Sequence, residues 1–222
     1  MPAVPSQVRE NRGFLRRAVR YVAAQGVDQF LDVGAGLPTQ DAVHEVAHEV
    51  TPGARVAYVD YDPMVVLHGN ALLTEPDRSV VTRGDVRDPG AILTDPKVTA
   101  HLDFSRPVAV TLVAIMHFVD DASGPLGLVA RFRDALAPGS YLVLSHVTRD
   151  NIPDHLAKQA VRLYDDASAP LLPRTRDQVA RFFDGFEVVE PGIVHDSDWR
   201  SDTADGHDNP PRLGWAGVGV KH

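Results

Sequence analysis

The feature that most constrains this chain is a glycine loop between a short strand and a helix. Gln29-Phe30-Leu31-Asp32-Val33 runs into Gly34-Ala35-Gly36-Leu37-Pro38-Thr39, and a helix is expected from Thr39 to Val50, ending before Pro52-Gly53. The glycines let the chain turn sharply and let a ligand approach the backbone. A strand–loop–helix unit of this kind belongs at the carboxyl edge of a parallel sheet, the edge on which open α/β folds bind ligands.

The rest of the chain repeats that rhythm. Phe14, Leu15, Ala18, Val19 and Val22 have helical spacing within a first helix from Glu10 to Gln25, which Gly26 stops. Further strands are expected at Arg55–Asp60, Ser79–Arg83, Val108–Ala114 and Tyr141–Ser145. Between and after them, helices are expected at Pro63–Leu73, Leu126–Leu136, Pro153–Ala167 and Thr175–Phe183. The apolar run Val108–Ala114 suits a central strand covered on both faces. Two strands, Phe186–Val194 and Leu213–Val220, close the chain around a polar loop, His195–Pro211. The alternation predicts a Rossmann-like α/β fold with a mostly parallel sheet and helices on both faces, in one domain over residues 1–222.

Composition narrows the partners. The formal net charge is −8, which makes phosphate backbones poor partners and argues against nucleic acid. There is no cysteine, so thiolate chemistry, zinc–thiolate sites and disulfides are excluded. The stretch Met1–Arg9 has no apolar signal core. The longest apolar run, Pro107–Val119, is interrupted by His117 and is too short to span a bilayer. A cytoplasmic protein with no membrane partner is expected; the sequence does not give the oligomeric state.

Three features fall at the ends of the first three strands. The glycine loop with Asp32, Gly34, Ala35 and Gly36 is the first. Asp60, followed by Tyr61, closes the second strand and suits the two hydroxyls of a ribose. Asp85 and Val86 follow the third strand and suit an adenine, one by accepting from its amino group and one as an apolar edge. A nicotinamide dinucleotide is the obvious rival. Two details oppose it: Pro38-Thr39 stands where the dinucleotide pattern has its third glycine, and Asp32, two residues before Gly34, would repel a pyrophosphate. S-adenosylmethionine carries a sulfonium and an ammonium and no phosphate, so an acidic pocket favours it.

These residues resemble a family. Asn11-Arg12, the stretch Phe30–Thr39, Val43-His44-Glu45-Val46-Ala47, Tyr58–Pro63, Gly84–Pro89 and Leu142–His146 are similar to the actinobacterial S-adenosylmethionine-dependent methyltransferase family first catalogued as a domain of unknown function. Arg181–Phe186 and Trp215–Gly219 extend the resemblance to the chain's end. The resemblance implies the class I methyltransferase fold, seven strands in the order 3-2-1-4-5-7-6 with the seventh antiparallel. It also implies that Ala114 and Ile115 wall the methionine end of the cofactor. Members of the family usually begin with an extra tyrosine- and glycine-rich segment, and this sequence starts after it.

Other motifs have sharper and blander readings. His44-Glu45-Val46-Ala47-His48 matches the zinc-protease pattern, but Thr51 stands where a metzincin has glycine and the motif falls inside the helix after the glycine loop. It is read as a polar helix face, with no metal. The loop from His195-Asp196-Ser197-Asp198 to His207-Asp208-Asn209 is read as solvated rather than metal-binding. Arg9, Arg12, Arg16 and Arg20 form a solvated stripe, with Arg12 also a candidate for the cofactor carboxylate. His117 and His146, after the fourth and fifth strands, are the candidate catalytic bases, since histidine titrates near neutrality. Tyr164 and Arg162, on the next helix, are read as packing or solvated residues. The overall expectation is methyl transfer to a small molecule, such as a secondary metabolite. A cofactor-binding regulatory or scaffold module and a cofactor-assisted cyclase are the alternatives.

Overall fold

In a computed structural model of the chain, the described residues are 3–37, 42–73, 78–150, 171–201 and 212–222, with side chains described from residue 7 onward. The elements run α1 (Ala3–Ala24), β1 (Gln29–Val33), α2 (Val43–Val50), β2 (Arg55–Asp60), α3 (Pro63–Leu72) and β3 (Ser79–Arg83). Then come α4 (Pro89–Leu93), α5 (Pro96–His101), β4 (Ala109–Val113), a 3-10 turn (Met116–Phe118), α6 (Pro125–Ala135) and β5 (Tyr141–Val147). The chain closes with α7 (Arg176–Ala180), a 3-10 turn (Arg181–Phe183), β6 (Glu187–Val188), β7 (Val194–His195) and β8 (Gly214–Val220).

The sheet order is β3-β2-β1-β4-β5-β8-β6, with β7 also paired to β8. β1 to β5 are parallel; β8 runs antiparallel between β5 and β6. This is the class I methyltransferase arrangement, the expected 3-2-1-4-5-7-6 order once β6 and β7 are taken as one interrupted strand. The interruption corrects the reading of Phe186–Val194 as continuous. Pro191 offers no ladder donor and Gly192 sits at φ 89°, so the chain leaves the sheet between Val188 and Val194.

The strands alternate as buried strands should, with both faces covered. Leu31, Ala57, Val59, Val110, Leu112, Leu142 and Leu144 point into a core with Ile92, Val129, Phe132 and Phe182. Phe30, Val56, Tyr58, Ala109 and Val143 point into the opposite core, against Phe14, Val19, Val46 and Trp199. The short helices α4 and α5 were not anticipated. Each starts with an aspartate cap and a proline, Asp88-Pro89 and Asp95-Pro96, with the carboxylate accepting backbone N–H bonds from Ala91 and from Lys97 and Val98. The helix at 153–167 and the start of the Thr39–Val50 helix lie outside the described residues. No helix among the described residues is long and apolar enough to cross a membrane.

Candidate functional site

The carboxyl ends of β1, β2, β4 and β5 open into one cavity of about 390 Å³, closed on one side by α1. The topology places it there: parallel strands deliver their ends to one edge, and β1 and β4 are neighbours with helices leaving on opposite faces. Arg12, Asp32, Gly34, Ala35, Gly36, Asp60, Ala114, His117 and His146 all line it. Tyr61, Asp85, Val86 and Ile115 do not. Tyr61 is half exposed and Val86 is buried in the core. Asp85 is clamped by Arg87 at 2.9 Å and 2.5 Å, which holds its carboxyl below the usual carboxylate range.

Ile115 explains the first glycine. Gly34 has φ 79°, and a Cβ there would stand 2.7 Å from Ile115 Cγ1. Only glycine allows both the left-handed backbone and this approach of the β1 loop to the β4 end. Gly34 N and Ala35 N donate to Val59 O at 2.8 and 3.3 Å, which folds the loop over β2. Asp60 then braces it: Oδ2 accepts from Gly36 N at 2.8 Å and Oδ1 from Asp62 N at 2.9 Å. An ionised carboxylate has about four acceptor positions, so each oxygen keeps capacity for a ligand hydroxyl.

Asp32 is the buried acid at the glycine-loop end of the cavity. Burial is the main cause that pushes its carboxyl up to about 6; the Thr111 hydroxyl, which donates to Oδ1, pulls it down, and Asp60 pushes it up again. Two acids crowded in a poorly solvated place favour a cationic ligand and oppose a phosphate. The residues present therefore fit S-adenosylmethionine: Asp60 could hold the ribose, Asp32 the cationic methionine portion, and Arg12 the carboxylate.

The β4 end is held in an unusual shape. Ala114 has φ 56°, the left-handed region, at a non-glycine residue. Its N–H donates to Ser145 Oγ at 3.0 Å, and Ser145 Oγ donates to Asn11 Oδ1 at 2.5 Å. The network ties α1, β4 and β5 together at the cavity wall, where backbone strain of this kind is concentrated in functional sites.

The two histidines come together but are not poised as bases. Their rings lie 5.5 Å apart, edge to face. Arg174 Nη1 donates to His146 Nε2 at 2.8 Å, so the ring proton sits on Nδ1 and is donated to Val147 O at 2.9 Å. Both nitrogens are engaged, and burial above all lowers His146 to about 4. His117 Nδ1 accepts from Val147 N at 3.4 Å, which puts its proton on Nε2; burial, then His146 and Arg174, hold it well below the usual histidine value. The expectation of a proton-accepting histidine is corrected on this ground: His146 is a fixed wall, and His117 offers a donor.

Other expectations move as well. His44 Nδ1 pairs with Tyr58 OH at 2.7 Å and His48 Nε2 with Ala54 O at 2.9 Å, so the two rings serve different structural partners. Within His195–Asp198 the solvated reading is corrected at two residues: Asp196 and Ser197 are buried, with Asp196 lining the cavity, while Asp198 is exposed. His207, Asp208 and Asn209, like Tyr164 and Arg162, lie outside the described residues. Sequence reasoning missed Gln7, Arg174 and Asp196. Their roles depend on contacts between segments far apart in the chain, and only the polar 195–198 run carried any signal.

Comparison with known proteins agrees with this geometry. A crystal structure of a Thermobifida fusca YX protein, taken to be a methyltransferase, is 41% identical, with a TM-score of 0.92, covering 100% of this chain and 84% of that one. A DUF574 family protein from Streptomyces avermitilis MA-4680 is 39% identical with a TM-score of 0.93, covering 100% and 86%. At 14% identity, human N-acetylserotonin methyltransferase in complex with its S-adenosylmethionine shares the fold, with a TM-score of 0.55 over 93% of this chain and 51% of that one. No curated protein matches the sequence. The model of the family described as S-adenosyl methyltransferase matches residues 1–222. The chain therefore belongs to the S-adenosyl methyltransferase family, whose cofactor is S-adenosylmethionine.

Proposed function

We propose that residues 1–222 act as a single domain that transfers the methyl group of S-adenosylmethionine to a small-molecule acceptor, with a secondary metabolite as the expected kind. The observation that carries this reading is the continuity of the cavity. It runs from the glycine loop and Asp60, past Ala114 and His117, to an inner end lined by Leu171, Asp196, Leu213 and Gly214. Cofactor and acceptor would share one concave cavity, which suits a small molecule better than a nucleic acid or a membrane surface.

The bound cofactor supplies a methyl group already activated on a sulfonium, and its loss leaves a neutral thioether. The protein's task is then alignment. Asp60, braced by the Gly36 amide, would fix the ribose end, and Asp32 would hold the cationic end. The Ala114–Ser145–Asn11 network fixes the wall between cofactor and acceptor, and His117 Nε2–H offers a donor beside the acceptor.

The test is to incubate the protein with methyl-labelled S-adenosylmethionine and an actinomycete extract split by ultrafiltration. Label appearing in the low-mass fraction, with matching S-adenosylhomocysteine, is expected. Label confined to protein or nucleic acid overturns the small-molecule reading; cofactor binding with no transfer to any fraction favours a binding module.

A further inference from the structure

The inner end of the cavity holds a buried carboxylate and an unsatisfied amide. Asp196 is fully buried. Its Oδ2 accepts from Gln7 Nε2 at 2.5 Å and its Oδ1 from Ser197 N at 3.0 Å. A Cβ at Gly214 would stand 2.8 Å from Asp196 Oδ2, so glycine at the start of β8 makes room for the carboxylate. Gln7, on α1, lines the cavity, and its Oε1 is buried with no hydrogen-bond partner. A buried acceptor left unmet is costly, so such a group in a cavity calls for a ligand donor.

The chemistry of the pair selects the donor. An ionised carboxylate only accepts, so it fixes the Gln7 amide with Nε2 toward Asp196 and leaves Oε1 as the unmet acceptor of a cavity-lining residue. A hydroxyl would bring one donor and no charge. An ammonium brings three donors and a positive charge next to a desolvated carboxylate. We propose that Gln7 Oε1, oriented by Asp196, recognises an amino group on the methyl acceptor, bound as its ammonium. The inference rests on the methyl-transfer reading above and names the acceptor class for that site. Both Asp196 oxygens are taken, one by Gln7 and one by the Ser197 amide, so Asp196 acts through Gln7 as a positioning residue. Because methylation needs a free lone pair, the ammonium is the handle, and the methylated atom lies nearer the glycine loop.

The electrostatics agree. Burial pushes the Asp196 carboxyl up to about 7 against the pull of the Ser197 amide and Gln7. The charged groups around it are Glu10, which raises it further, and Arg17, which lowers it and donates to the Asp196 carbonyl at 2.7 Å. On its own segment Asp198 pairs with Arg212 at 3.2 Å and His195 stacks on Trp215; β8 presents only Gly214. A ligand cation restores the balance that burial removes.

The test uses the full protein saturated with S-adenosylhomocysteine and three probes of matched shape: benzylamine, benzyl alcohol and benzyltrimethylammonium, the last carrying charge without N–H donors. Binding is followed by ligand-observed NMR. At pH 8 benzylamine should bind about tenfold tighter than either other probe, and Gln7→Leu should abolish that preference. In the native protein benzylamine binding should strengthen from pH 6 to pH 8 as Asp196 ionises, and Asp196→Asn should flatten the profile. If Gln7→Leu fails to fold, the Asp196→Asn profile still decides. Equal binding of the three probes, a preference that survives in Gln7→Leu, or no benzylamine binding at millimolar concentration overturns the proposal. Failure of the native protein to transfer label from S-adenosylmethionine strikes the methyl-transfer reading instead, and leaves the probe result standing on its own.

Discussion

Arg174 donates a hydrogen bond to Nε2 of His146 at 2.8 Å, and this fixes the tautomer of a histidine that the sequence alone presents as a base. The same guanidinium reaches Met116 O and Val119 O at 3.0 Å each and pairs with the exposed Asp121 at 2.7 Å. One buried side chain thus bolts the segment after β4 to β5. Arg174→Met strips the donor from buried carbonyls, and the expected loss of stability is about 3 kcal/mol. In the same variant the His146 ring, now at about 4, should titrate closer to 6.5, although burial keeps it below. Chemical denaturation and NMR titration of the ring check both. Unchanged titration would mean that Arg174 does not set the state of His146.

Gly34→Ala should weaken cofactor binding by about tenfold or more. Alanine at φ 79° costs about 1–2 kcal/mol, and its Cβ would collide with Ile115. Combining it with Ile115→Ala should recover the steric part but not the backbone part. Calorimetry on the two single variants and the double variant separates them.

Much of this site was legible because strand ends are legible. The sequence pattern and the fold give Ser79–Arg83 and Arg55–Asp60 the same bounds, so the pattern alone places Asp60 and the glycine loop on the same edge. The polar wall at the other end was not legible. Asp196 looks like a loop residue until α1, almost two hundred positions earlier, brings Gln7 and Arg17 over it. The Asp88-Pro89 and Asp95-Pro96 caps were visible signals for α4 and α5, passed over because the helices they start are too short to show a period. Asp85 sat where an adenine contact was expected, but Arg87 two residues on claims it, a local pairing that strand position alone does not reveal.

Cofactor affinity should fall on acidification through pH 6. Asp32 has its carboxyl raised to about 6, so it is ionised above that pH and attracts the ligand's cation; below it the proton replaces that attraction. The dissociation constant should rise by up to about tenfold per pH unit below 6. Asp32→Asn should bind more weakly at pH 7.5 and show a flatter profile between pH 5 and 7.5. Calorimetric titrations across that range check it.

Stability should respond to pH in the opposite sense. A carboxyl whose folded pKa is raised contributes stability that is fully present below its unfolded value, near 3.8. That contribution is lost as pH rises through the folded value. For Asp196 the window runs from about 3.8 to about 7. Asp196→Asn should therefore gain on the native protein as pH rises, with a difference larger at pH 8 than at pH 4. Urea melts at the two pH values decide; an equal difference at both would mean that Asp196 is not desolvated.

The central claim is that the cavity under the glycine loop holds S-adenosylmethionine with Asp60 on its ribose. Calorimetric titration of S-adenosylmethionine into native protein, Asp60→Asn and Asp60→Ala tests it most directly. Asp60→Asn keeps an oxygen acceptor for the Gly36 amide and so separates loop bracing from ribose binding. The account predicts tight binding to the native protein, weakened by about tenfold in Asp60→Asn and further in Asp60→Ala, with S-adenosylhomocysteine following the same order. Undiminished affinity in Asp60→Ala would contradict it.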